Sequence, residues 1–581
     1  MASPSRRLLG FLVLAGWPGL VAVTILELIL LVEPTAIALV TGALVGRLAE
    51  AAADDRLTVT AAGGGTGPIL AILATLLVAG NALRALSRPL TDRVSSRIDA
   101  AVRRELTSRV LALPTLDRVE DAALQDSLAT MRSPMLTWMD EGLGRAAVER
   151  FRSALTMVGL VTAMLVLCQV VWWWGPATAA VALLLGRFRS GMWRHFFGVI
   201  KETMPAALRG QAWLAIMAGS RDAKEVRIFG LNGWLQRHAD DNIADAVTRV
   251  VAAREALLRR ELAVFLGWAA TASLVYVAVA TSGAMSVGRI AATIGAVSAM
   301  FVISMTSQGE DMDEVVAPAV ESITRVREAA PSLEPTPPPP SGTGEISLTE
   351  VRFAYGEVGV LDGVTLTLGH GEVVAIVGVN GAGKTTLAKL LTGQYRPGSG
   401  TVVTEPAAYA VYQDFNRYEL SAYENIRVAA PEATREQVEA AAAAVGATAM
   451  IERLPHGWAT VLSPKYAGGS DLSGGQWQKI ALARAVLAAA TGTRLLVLDE
   501  PTANLDIEAE LDAFKRISQA RGDATVVLIS HRFSTVRKAD RIVVLSGGRI
   551  TEDGSHAELL AADGEYARMF HLQAQQFQEA G

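Results

Sequence analysis

The residues Gly378-Val379-Asn380-Gly381-Ala382-Gly383-Lys384-Thr385-Thr386 could hold a polyphosphate. They follow the apolar run Val373-Val374-Ala375-Ile376-Val377 and precede Leu387, Leu390 and Leu391. That order reads as a buried strand, a glycine-rich loop and a helix. In such a setting backbone N–H groups wrap the phosphates and the helix N-terminus adds the positive end of its dipole. Lys384 then reaches the β- and γ-phosphates, and the Thr385 hydroxyl ligates Mg²⁺. The nucleotide-binding set expected here is Gly378, Asn380, Gly381, Gly383, Lys384, Thr385 and Thr386. A second element, Leu495-Leu496-Val497-Leu498-Asp499-Glu500, delivers two carboxylates at the end of an apolar strand. Asp499 is placed to hold the metal through its water shell, and Glu500 to accept a proton from an attacking water.

The elements that must position these groups occupy the last two hundred and forty or so of 581 residues. Strands are expected at 346–351, 373–377 and 525–529, with the domain beginning near Gly344. The sequence before it is different. A proline-rich stretch, Pro331-Ser332-Leu333-Glu334-Pro335-Thr336-Pro337-Pro338-Pro339-Pro340-Ser341-Gly342, can be neither helix nor sheet and reads as an extended spacer. Ahead of the spacer the chain carries long apolar runs, which raise its hydrophobic content to 51%. A membrane span needs about 20 apolar residues. Runs at 21–45, 68–86, 154–172, 177–185, 262–279 and 290–305 make six candidate spans, the fourth being the shortest. Trp172-Trp173-Trp174-Gly175-Pro176 reads as a turn at the lipid–water boundary, where indole rings are favoured.

Charge orients the spans. Arg84, Arg88, Arg93, Arg97, Arg103, Arg104 and Arg109 follow the second, and Arg187, Arg189, Arg194 and Lys201 follow the fourth. The loop between the first two is slightly acidic. Positive-inside logic places both basic stretches and both termini in the cytoplasm. Helical charge spacing after the second span, as in Arg93, Arg97 and Asp99, is expected to extend that span as a long helix into the cytoplasm. Two carboxylates, Glu27 and Glu33, fall in the first span, where an unpaired charge is costly. Two readings stand: a negative spot on a translocation path, suiting a cationic cargo, or a structural one in which Glu33, just before the helix-breaking Pro34, sits near an interface and Glu27 pairs with a neighbouring helix.

Between the two phosphate-site elements stands Leu472-Ser473-Gly474-Gly475-Gln476, which resembles the signature of the ABC ATPase family. Other motifs follow that family's order. Tyr355, in Val351-Arg352-Phe353-Ala354-Tyr355, matches the aromatic residue that stacks on adenine. Gln413, in Tyr412-Gln413-Asp414-Phe415, matches the Q-loop glutamine that senses Mg²⁺ and the membrane domain. Asn504-Leu505-Asp506 resembles the D-loop, and His531, in Ile529-Ser530-His531-Arg532, matches the switch histidine at the γ-phosphate. The resemblance implies Glu500, His531 and Gln413 as catalytic residues. It implies ATP binding by Tyr355, Ser473, Gly475, Gln476 and Asp506 with the loop above, and Mg²⁺ held by Thr385, Gln413 and Asp499.

The first half is similar to exporter-type membrane domains. Leu113-Pro114-Thr115-Leu116-Asp117-Arg118-Val119-Glu120-Asp121 and Lys224-Glu225-Val226-Arg227-Ile228-Phe229-Gly230 resemble the two intracellular loops, which dock near the Q-loop. The implied fold is an all-α six-helix transmembrane domain (1–330), a linker (331–343) and an α/β P-loop ATPase domain (344–581). The implied function is ATP-driven export across the cytoplasmic membrane, with peptides or amphipathic small molecules as cargo. A multidrug or lipid exporter, and a siderophore-type importer built on the exporter fold, are the alternatives. Residues 412–426 are reminiscent of lantibiotic and related peptide exporters. The family's signature closes on nucleotide held by a second domain, so one chain needs a second half-transporter, in a homodimer or a heterodimer. Where many exporters have a glutamate-bearing stretch before the signature, this chain has Tyr466-Ala467-Gly468-Gly469-Ser470-Asp471.

Composition excludes other classes. A net charge of −5 argues against a nucleic-acid partner, which calls for a basic field. The one cysteine, Cys168, rules out an internal disulfide framework and a cysteine-rich metal site.

Overall fold

The computed structural model describes residues 4–53, 66–131, 142–169, 171–218, 223–281, 286–306, 312–331, 346–404, 408–500 and 507–579. The chain divides into two compact units, 1–112 with 122–334, and 113–121 with 335–581.

The first unit is helical. Its long helices are α1 (Trp17–Ala53), α2 (Gly67–Leu111), then, beyond the short segment of the second unit, α4 (Leu143–Cys168), α5 (Trp174–Ala218), α6 (Asn232–Thr281), α7 (Val287–Thr306) and α8 (Met312–Ala329). Five of the described helices are long and apolar enough to cross a membrane: α1, α2, α4, α6 and α7. The fourth expected span lies in α5, which is not among them. Its apolar run stops at Leu185, and Arg187 and Arg189 follow within one helical turn. Helices α2, α5 and α6, of 45, 45 and 50 residues, are much longer than a bilayer crossing requires.

Close helix packing in this unit depends on small residues. A Cβ placed on Gly42 would lie 2.6 Å from the Gly288 carbonyl oxygen, and one on Gly295 would lie 2.3 Å from the Ala38 Cβ, so α1 and α7 approach backbone to backbone. Both carboxylates of α1 are buried and paired. Glu27 meets Arg152 of α4 at 3.0 Å, and Glu33 meets Arg84 of α2 at 2.5 Å. Glu27 thus pairs with a neighbouring helix, as its structural reading expects, whereas Glu33, expected near an interface beside a helix-breaking Pro34, is buried and paired within an unbroken helix.

The second unit is α/β. A three-stranded antiparallel sheet, β2-β1-β4, joins β1 (Ile346–Tyr355), β2 (Val358–Leu368) and β4 (Ser399–Val403). A six-stranded sheet has the order β5-β6-β7-β3-β8-β9, from β3 (Val373–Val377), β5 (Ala408–Val411), β6 (Leu495–Asp499), β7 (Thr525–Ile529), β8 (Arg541–Ser546) and β9 (Arg549–Gly554). Its first five members in that order run parallel, and β9 is an antiparallel edge. Strands β3, β6 and β7 are buried along their whole length, as expected for apolar runs covered on both faces. Helices α9 (Lys384–Leu391), α10 (Gly474–Ala490), α11 (Phe533–Val536) and α12 (Glu565–Glu579) pack around these sheets.

The short helix α3 (Leu116–Val119) belongs to this second unit although it falls between α2 and α4 in the chain. The Leu116 amide donates to the Gln394 carbonyl at 2.7 Å, and Tyr395 Oη donates to Glu120 Oε2 at 2.5 Å. Lys389 Nζ donates to the same Tyr395 oxygen at 2.9 Å.

Candidate active site

Four adjacent parallel strands, β5, β6, β7 and β3, end on one edge of the sheet. Their carboxyl ends carry Gln413, the Asp499–Glu500 pair, His531 and the glycine-rich loop, in that order. Open α/β sheets bind ligands at this edge.

The loop after β3 needs glycine at particular places. Gly383 has φ +101° and a Cβ there would lie 2.8 Å from Leu361 Cδ2; at Gly378 a Cβ would lie 2.1 Å from the Leu545 carbonyl oxygen. Gly383 then opens α9, so the first amides of the helix face the loop. Lys384 Nζ donates to the carbonyls of Gly378 and Val379 at 2.9 and 3.0 Å, closing the loop on itself. Burial lowers the Lys384 pKa, against the opposing pull of Glu500 and Asp499.

Thr385 and Asp499, the two metal-ligand candidates, are joined directly: Thr385 Oγ1 donates to Asp499 Oδ2 at 2.7 Å. Burial raises the Asp499 pKa; the Thr385 hydrogen bond opposes this, and the neighbouring Glu500 charge adds to it. Glu500 takes φ +47°, a left-handed conformation that costs a non-glycine residue about 1–3 kcal/mol. Its amide is held by the Ile529 carbonyl at 2.8 Å. The turn sends its carboxylate to His531, whose Nε2 lies 2.7 Å from Glu500 Oε1. Two consecutive carboxylates are thereby separated: one faces the loop threonine, the other the histidine.

Gln413 lines a cavity of about 730 Å³ with Thr385, Asp499, Tyr412, Leu116 and Glu120. The same hollow thus brings together the glutamine, both metal-ligand candidates and the α3 segment. Burial pushes the Tyr412 phenol up to about 12, and its hydroxyl lies 3.1 Å from Thr392 Oγ1. Tyr355 is exposed, with its hydroxyl 3.3 Å from Thr386 Oγ1. It also packs edge-on against Phe353 and Tyr395. Asn380 and Gly381 are exposed at the loop tip.

Ser473 caps α10. Its Oγ accepts from the Gln476 amide at 3.3 Å, and Gln476 Oε1 accepts from the Ser473 amide at 2.8 Å, a capping box. Among the described residues no hydrogen bond joins Ser473, Gly475 or Gln476 to the loop after β3. Asp506 lies outside the described residues.

Two groups that the sequence left unremarked act on the site's framework. Buried Arg484 of α10 donates to the carbonyls of Asn425 and Asn416 at 2.7 and 2.8 Å, and to Asn425 Oδ1 at 2.7 Å. It ties the helix behind Ser473 to the segment after Gln413. Gln573 of α12 binds the backbone on either side of Arg532. Neither had a local signal, because each partner lies 40 or more residues away in the chain.

The sequence family described as ABC transporter matches residues 361–503, which contain the loop, Gln413, the capped helix and both carboxylates. The α/β unit carries an ABC transporter ATPase domain. This ABC ATPase domain is joined to a helical domain of membrane-spanning character. The chain is 41% identical over 255 residues to an ATP-dependent lipid A-core flippase of Chromohalobacter salexigens, covering 41% of this chain and 42% of that protein. It is 36% identical over 320 residues to a fatty acid ABC transporter ATP-binding/permease protein of Mycobacterium bovis, covering 51% and 50%. With the alpha-hemolysin translocation protein HlyB of Escherichia coli O157:H7 it shares 37% identity over 251 residues, 40% of this chain and 35% of that one. These matches span half or less of each relative's length. A solved bacterial Atm1-family ABC exporter with ATP bound has the same fold across 96% of this chain and 98% of its own, with a TM-score of 0.75 and 21% identity.

Proposed function

We propose that the chain is a half-transporter of the integral membrane class which couples ATP hydrolysis to export of an amphipathic molecule. The observation that carries this reading is the pair of contacts Thr385–Asp499 and Glu500–His531, built beside the glycine-rich loop in a chain that also contains five membrane-length helices. Residues 1–330 act as the membrane domain, 331–343 as the linker and 344–581 as the ATPase domain. The ATPase domain and both termini lie in the cytoplasm.

The residues present suit ATP and Mg²⁺. Thr385 and Asp499 offer one hydroxyl and one carboxylate at hydrogen-bond distance from each other, and Gln413 faces the same hollow. Few protein ligands suit Mg²⁺, which keeps waters and phosphate oxygens in its shell. When bound, Mg²⁺ neutralises charge on the β- and γ-phosphates. Lys384 leaves its loop carbonyls to pair with phosphate oxygens, and the loop amides replace water around them. Tyr355 supplies an exposed ring face for adenine. Glu500 takes the proton of the attacking water, and the His531 Nε2–H holds that carboxylate in line.

Exposed Ser473 and half-buried Gly475 and Gln476 sit at a helix N-terminus, an anion-binding arrangement without a phosphate site of its own. A second copy of the chain completes it, with two ATP sites in the dimer. The amphipathic cargo class is supported by relatives named for lipid A-core and fatty acid transport. A relative named for mycobactin import supports an importer as the second reading. Inside-out vesicles carrying the protein, with ATP and a fluorescent acyl-chain probe, test the direction. ATP-dependent uptake into the lumen supports export, and ATP-dependent depletion of preloaded vesicles contradicts it.

A further inference from the structure

We infer that Gln573, in the C-terminal helix α12, is a positioning residue for His531. The inference rests on the ATPase reading above. Gln573 uses both ends of its amide: Oε1 accepts from the Phe533 N–H at 2.9 Å, and Nε2 donates to the His531 carbonyl at 2.8 Å. These two backbone groups bracket Arg532, so the side chain spans the turn that carries the histidine. Phe533 is the first residue of α11, whose cap residue Arg532 provides no side-chain hydrogen bond to the first turn. The first amides of a helix have no partner within it. Gln573 supplies one from another element.

The clamp is itself held. Tyr566, Phe570 and Gln573 are spaced four and three residues apart, so they share one face of α12. The rings of Tyr566 and Phe570 meet Phe533 at 5.3 and 5.6 Å between centroids. Tyr566 is fully buried and its hydroxyl lies 2.7 Å from His556 Nδ1. The C-terminal helix therefore reaches the turn through a packed aromatic contact, and Gln573 converts that contact into a fixed backbone geometry at His531. From that turn His531 Nε2 reaches Glu500 at 2.7 Å. Without the clamp the carbonyl of His531 and the amide of Phe533 turn to water and the imidazole samples positions out of reach of Glu500. The loop after β3, which makes most of the nucleotide contacts, is left alone.

The test uses the full chain in lipid nanodiscs, with Gln573→Ala and Gln573→Glu. Glutamate keeps the acceptor for Phe533 but loses the donor to His531. Both variants are expected to lower kcat for ATP about tenfold, with the Kd for a fluorescent ATP analogue and the Tm unchanged, and Gln573→Asn is expected to recover none of it because its side chain is one methylene shorter. Amide exchange at 531–536 is expected to quicken in Gln573→Ala, a readout independent of turnover. Wild-type kcat in both variants, or a fall in kcat only in proportion to a fall in Tm, overturns the inference. If the wild-type chain hydrolyses no ATP, the ATPase reading fails, and unchanged exchange at 531–536 would separately remove the clamp.

Discussion

Replacing Gly80 by alanine should destabilise the helical unit through a residue on another helix. The new Cβ would lie 1.8 Å from Glu33 Oε1 and 2.4 Å from its carboxyl carbon, far inside contact distance. Backbone packing of α1 against α2 leaves the carboxylate as the part that moves. It then loses Arg84, now 2.5 Å away, while staying buried with its side chain 4% exposed. Breaking a buried ion pair costs about 3–5 kcal/mol. The Arg84 side chain is 51% exposed and can turn to solvent or headgroups, which puts the loss at the lower end. Alanine regains roughly 1 kcal/mol over glycine in a helix. The net expectation is a loss of about 2 kcal/mol, read as a lowered midpoint in denaturant titration of the detergent-solubilised protein followed by tryptophan fluorescence. The control is the same substitution in a Glu33→Ala background. There the three atoms nearest the new Cβ, all from the Glu33 carboxylate, are gone, and Gly80→Ala should be neutral or stabilising. An equal loss in both backgrounds would refute the reasoning.

Asp499→Asn should raise the thermal stability of the nucleotide-free protein at neutral pH while abolishing hydrolysis. Its folded pKa is raised above the ordinary value, so its ionised form costs stability at pH above that raised pKa, and folding is favoured as pH falls towards 3.8. The gain from asparagine should therefore shrink on acidification, and a gain that is constant or grows in acid contradicts the assignment. Tyr395→Phe removes the hydroxyl shared by Glu120 and Lys389 but keeps the ring stacked on Phe353. Basal ATP hydrolysis should persist and its stimulation by cargo should fall, checked by ATPase assays with and without an acyl-chain probe; unchanged stimulation removes Glu120 from the coupling route.

Local sequence carried the α/β unit well. Each of Val373–Val377, Leu495–Asp499 and Thr525–Ile529 is a short, mostly apolar run that forms a fully buried strand, and each carries its chemical group at its end or within two residues of it. The family match over 361–503 covers the first two of these segments and stops short of the third. Partnerships across the chain were not legible. The partners of Glu27 and Glu33 could not be named, and Glu33 was placed near an interface, because Arg152 and Arg84 lie on other helices and nothing local selects them. The fourth span was expected from the paired apolar runs on either side of the tryptophans, but Arg187 and Arg189 leave its apolar run only nine residues long, from Ala177 to Leu185. Leu113-Pro114-Thr115-Leu116 was read as a loop that docks near the Q-loop, and Leu116 and Glu120 do line the hollow that holds Gln413. The hydrogen bond of Tyr395 to Glu120 joins residues 275 apart, beyond the reach of any pattern in the sequence.

The central claim is that Glu500 activates water at an ATP site of this chain. It is tested most directly by ATP turnover and ATP binding of the purified full chain in nanodiscs, comparing wild type with Glu500→Gln. The account predicts hydrolysis by wild type, and in the variant a loss of at least about a hundredfold in kcat, the scale of general-base catalysis, with ATP binding retained. Hydrolysis by Glu500→Gln at the wild-type rate would contradict it.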